Sequence, residues 1–173
     1  VRGNWLNDGG AFTPVGGRVN FVSNTNATKS ITSRGYPFST VFFQPAASGA
    51  CTYQLLDDMR CNSPGSGTAT DGHSFRIQQG GAGREVTFNL NGYRLEVNNI
   101  EINGNGAGST NGTHFRATGG SVLAIGSGYS FTLAGALRPK ITLVGTANNR
   151  VLITRFGTSG TYTFSLTGPN HDL

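Results

Sequence analysis

Between residues 86 and 104 the chain alternates apolar and polar side chains, and breaks the alternation twice. Val86, Phe88 and Leu90 are followed by Tyr93, Leu95 and Val97, and these by Ile100 and Ile102. Successive side chains on a strand point to opposite faces, so the pattern describes three short, half-buried strands. Asn91-Gly92 and Asn98-Asn99 separate them. Both residue types tolerate the positive φ that abrupt corners require. Strands this short suit a chain that winds, although a set of hairpins fits the same residues.

The rest of the chain repeats the theme. Short apolar-polar segments surround Trp5, Phe12, residues 19–21, Val41 with Phe43, Phe75 with Ile77, residues 122–125, Phe131, Ile141, residues 151–153 and residues 162–166. Pro37 and Pro45 fence the segment around Val41, because proline has no N–H to give a ladder. No helix-period segment exceeds two turns; the nearest, residues 134–137, is stopped by Pro139. Two all-β architectures compete. A β-sandwich uses longer strands joined by hairpins, whereas a solenoid uses short strands, polar corners and self-similar segments. The pattern favours the solenoid, a single domain over 1–173 with a loop excursion at about 46–74.

Composition points outside the cell. The chain has 173 residues, 27 of them glycine, and only 12% are charged. That charge is too low for a disordered segment, which would also lack the β-branched and aromatic residues present here. The net charge of +5 is spread over isolated arginines. No basic run interleaves with aromatics, so nucleic acid is not an expected partner. No segment approaches the length of an apolar membrane span. The opening Val1-Arg2-Gly3-Asn4 reads as mature sequence, so the expectation is an exported protein whose leader has been removed.

Cys51 and Cys61 are the two cysteines, and in an exported chain a disulfide closing the loop between them is the leading reading. They cannot complete a four-ligand zinc site, and neither a metal nor a cofactor is expected. Asp57-Asp58, inside the same loop with Arg60, is the only carboxylate cluster. Its plain reading is a pair of solvated carboxylates beside Arg60; its functional reading is acid–base or ligand chemistry. Trp5, Tyr53 and Tyr93 are the aromatics considered for stacking against a ligand. For Trp5 an aromatic plug over the first coil is the stronger reading. His73, His114 and His171 lie far apart and form no triad pattern. A threonine ladder running coil after coil is not visible in the linear sequence.

Four segments carry a resemblance: Gly3-Asn4-Trp5-x-Asn7-x-Gly9; Phe12-x-Pro14-x-Gly16-Gly17-x-Val19-x-Phe21; Phe38-x-x-Val41-x-Phe43; and Asn89-Leu90-Asn91-Gly92-Tyr93-x-Leu95-x-Val97. Together they resemble the repeats of bacterial secreted and cell-surface proteins with right-handed parallel β-helix, adhesin-like regions. The resemblance implies a right-handed parallel β-helix within a longer chain or array. It also implies a structural or adhesive extracellular module, not an enzyme, whose partners are other copies of itself or neighbouring coils. The alternative is a carbohydrate-binding or polysaccharide-degrading β-helix protein using Asp57, Asp58 and the exposed aromatics.

Overall fold

The computed structural model describes residues 1–13, 16–23, 26–45, 49–61, 74–79, 83–104, 112–135, 139–157 and 159–166. Among them are sixteen strands and no helix. In chain order these are β1 (Trp5–Leu6), β2 (Arg18–Phe21), β3 (Ala27–Thr32), β4 (Thr40–Phe43), β5 (Gly49–Leu55), β6 (Met59–Cys61), β7 (Phe75–Gln78) and β8 (Arg84–Asn89). There follow β9 (Arg94–Val97), β10 (Ile100–Asn103), β11 (Thr113–Thr118), β12 (Val122–Gly126), β13 (Ser130–Ala134), β14 (Lys140–Val144), β15 (Leu152–Phe156) and β16 (Thr163–Leu166).

The strands form three sheets. Sheet 1 has the order β1-β3-β5-β8-β11-β14, sheet 2 the order β6-β9-β12-β15, and sheet 3 the order β2-β4-β7-β10-β13-β16. Every strand pair within them is parallel. From β5 onward the chain visits sheets 1, 2 and 3 in turn and re-enters sheet 1 one place further along. Parallel neighbours normally need a long crossover. Here, from β5 onward, two other strands supply it, and among the described residues no helix takes part. The stretch 84–103 therefore contributes one strand to each sheet, β8, β9 and β10, and the hairpin alternative does not hold.

Register builds columns of like residues along the stack. In sheet 3 the inward column is Val19, Val41, Phe75, Ile100, Phe131 and Phe164. In sheet 1 it runs Tyr53, Phe88, Phe115 and Ile141; in sheet 2, Met59, Leu95, Leu123 and Ile153. All members of these columns except Val19, Ile153 and Phe164 are buried, and the buried ones join in one core cluster. Aromatic rings pack across the sheets as well as along them: Phe88 lies 4.7 Å from Phe43 and 4.8 Å from Phe75, centroid to centroid. Such offset and edge contacts add to what area burial alone contributes.

The corners use the left-handed backbone region where the sequence allows it. Asn91 (φ 53°) and Gly92 (φ 87°) turn the chain from sheet 1 to sheet 2, and Arg34 (φ 51°) with Gly35 (φ 76°) makes the corresponding turn two circuits earlier.

Residues 49–61 were expected to leave the body as a loop. Instead they are β5 and β6, paired on both sides in sheet 1 and at the edge of sheet 2. The remainder of the expected excursion, 62–73, lies outside the described residues. Cys51 and Cys61 are correspondingly not a loop-closing disulfide. Both are free and buried, on strands of different sheets. Cys51 sits inward beside Ala27 and Val86, and Cys61 inward beside Val97. Their polar sequence neighbours are simply the outward half of the alternation.

Candidate functional site

The Asp57-Asp58 pair occupies the corner between β5 and β6, and its carboxylates point along the stack in opposite directions. Asp57 Oδ1 accepts the Ser33 N–H at 2.8 Å, and its Oδ2 accepts the N–H of Arg34. Asp58 Oδ1 accepts the Arg94 N–H at 2.9 Å, and the Asp58 carbonyl accepts Ser33 Oγ–H at 2.8 Å. Two adjacent residues thus tie one circuit back to the preceding corner and forward to β9. The carboxylates do not converge on a common point, as paired acid–base chemistry would need. Nor do they pair with Arg60, whose nearest carboxylate is Glu96, at 3.8 Å. They are backbone caps, and the Asp57 cap holds Arg34 in its unusual φ.

The other candidates also separate. Tyr53 is fully buried. Its hydroxyl accepts the Ser23 N–H at 2.8 Å, and its pKa is pushed far above the ordinary tyrosine value, chiefly by burial and then by Cys51. It cannot stack on a ligand. Trp5 is half-buried and packs edge-on to Phe12 and Phe21 and tilted against Phe38, with centroids 5.4, 6.2 and 5.4 Å away. This aromatic group covers the first end of the core. A hollow of about 320 Å³ lies beside it, lined by Leu6, Asn7 and Asp8 as well as Trp5 and Phe12. Tyr93 is exposed at the corner before β9, and His73 and His171 lie outside the described residues. Among the described residues no three His, Cys, Asp or Glu side chains gather as a metal site would require.

The two ends of the stack differ. At the first end Trp5 and Phe12 close over the core. At the last, the inward positions of the edge strands open to solvent. Leu143 of β14 is 44% exposed and Phe164 of β16 is 41% exposed. Their register partners one circuit earlier, Ala117 and Phe131, are fully buried. Phe164 lies flat on Phe131, 4.7 Å away at 5°. In sheet 2 the third edge strand, β15, places Arg155 where the inner circuits have Cys61, Val97 and Ile125. Its guanidinium donates to the Gly160 carbonyl at 2.7 Å.

Register also reveals what linear reading missed on the outer face of sheet 1. Thr28, Thr52 and Thr87 stand in one column, which His114 and Lys140 continue. The parallel column is Ser30, Gln54, Asn89, Arg116 and Thr142. The members are 24 to 35 positions apart, so no local window displays the ladder. The pKa of His114 lies below its ordinary value, first through burial and then through the charges of Lys140 and Arg116.

Compared with protein-family models, with curated proteins and with solved structures, the chain finds no match.

Proposed function

We propose that the chain is a right-handed parallel β-helix that serves as a structural or adhesive module of an exported cell-surface protein or extracellular filament, and that it associates through the last end of its stack. The observation that carries this reading is the apolar column left open at β14 and β16, with Leu143 and Phe164 both more than 40% exposed. Edge strands with free ladder groups and apolar inward side chains recruit further strands. An open end of this kind meets the same end of a second copy, in a contact that closes on itself, or the open end of a neighbouring coil. The covered first end, where Trp5 and Phe12 lie over the core, directs association to the opposite end.

Exported placement rests on the low charge and glycine-rich composition, and the module needs no catalytic group. Sedimentation velocity over a wide concentration range tests the reading. The expected result is concentration-dependent association that Leu143→Asp with Phe164→Asp abolishes while the melting transition persists. A strictly monodisperse monomer at high concentration would overturn association through the stack end.

A further inference from the structure

We propose that the outer face of sheet 1, over β8, β11 and β14, binds an anionic polysaccharide, one carrying uronate carboxylates or sulfate esters. The face is built by alternation. Val86, Phe88, Phe115 and Ile141 turn inward, so Thr87, Asn89, His114, Arg116, Lys140 and Thr142 turn outward. Register places these six in two adjacent columns, with rungs about 4.8 Å apart and positions along a strand about 7 Å apart. Arg116 and Lys140 therefore flank His114 on one surface.

The charge on this face is uncompensated. Elsewhere Arg34, Arg60, Arg76 and Arg94 each meet a carboxylate. Arg116 and Lys140 meet none among the described residues, and both are exposed. At the outward positions of the sheet 1 strands the cations are Arg116 and Lys140, against the single carboxylate Glu85. The pKa of His114 is lowered first by burial and then by the charges of Lys140 and Arg116 on this face.

Three features select a polysaccharide among polyanions. The outward residues of these strands include no Phe, Tyr or Trp, and their one imidazole, His114, is half-buried and hydrogen-bonded to Thr142 at 2.9 Å, so the row of stacking rings that single-stranded nucleic acids use is missing. Threonine and asparagine beside the cations offer donors and acceptors matched to sugar hydroxyls. The columns also repeat at one spacing across the stack, as the residues of an extended polymer do. The inference adds a ligand to the adhesive reading and rests on it only in supposing this face to be accessible outside the cell. Binding by a chain that never self-associates would keep this proposal and remove the other.

The test is titration of the whole chain, at low and at physiological salt, with polygalacturonate, a sulfated glycosaminoglycan and neutral dextran. Duplex DNA and phosphatidylserine vesicles serve as comparison polyanions. One or both anionic glycans are expected to bind at least about tenfold more tightly than dextran, DNA or vesicles, and more weakly at high salt. Which of the two binds distinguishes carboxylate from sulfate. Arg116→Gln with Lys140→Gln is expected to cut affinity about tenfold, whereas Arg2→Gln with Arg18→Gln, removing the same charge elsewhere, changes it less than about twofold. Arg116→Lys with Lys140→Arg retains binding. Equal loss in both neutralised variants, equal binding of DNA or vesicles, or no binding to either anionic glycan would overturn the proposal.

Discussion

A thiol held inward between strands of the core has no water to ionise into and no reagent to meet. Burial raises the pKa of Cys61 well above its ordinary value. Treatment with reductant is therefore expected to leave the melting temperature unchanged, and alkylation of both thiols is expected only on unfolding, as mass spectrometry with and without denaturant would show. A melting temperature that falls under reductant would restore the disulfide. The folded pKa of His114 lies below the ordinary 6.5, so between the two values the unfolded chain binds more protons. Its contribution to stability is full above about pH 6.5 and is lost as pH falls through the lowered folded value. His114→Gln should narrow the difference in melting temperature between about pH 7 and about pH 5, measured by circular dichroism. At this scale the sequence was readable where alternation was read. Cys51, Tyr53 and Leu55 keep the two-residue period, as do Met59 and Cys61; only their polar neighbours made them look like a loop.

Strands are the most legible elements of this chain because their signal is local. Val86 to Ile102 announces β8, β9 and β10 with their Asn-Gly and Asn-Asn corners, since inward and outward residues differ within two positions. Corners are less legible because what completes them is not local. The partners of Asp57 lie 24 and 23 residues back, and that of Asp58 lies 36 residues ahead. No spacing rule within one loop connects such groups, so the pair looked like candidate chemistry. The element-scale prediction follows from those bonds. Asp57→Ala leaves the N–H groups of Ser33 and Arg34 without their charged acceptor and should cost about 2 kcal/mol in denaturant unfolding. Arg60→Ala removes only a long surface pair with Glu96 and should cost less than about 1 kcal/mol. Equal costs would mean that the corner is held by side-chain pairing after all.

Across the whole molecule, the order of the strands was the least legible feature. Which strand neighbours which depends on the winding of the entire chain, and the Thr28, Thr52 and Thr87 column exists only once that winding is set. The same winding fixes the two unlike ends. Sheet 2 begins late, at β6, and its open edge is covered by the preceding segment, where the Phe38 N–H donates to the Arg60 carbonyl at 2.8 Å. At the other end Arg155 takes an inward position that earlier circuits give to Val97 and Ile125. Viewed down the stack, that end has two greasy sides and one charged side. A partner turned by a third of a revolution would press an apolar column onto a guanidinium, losing both its contact and the solvation of the charge. In the association proposed above, the end would therefore act as a keyed coupling: of three rotational settings, one would let apolar meet apolar while leaving Arg155 its oxygen acceptor.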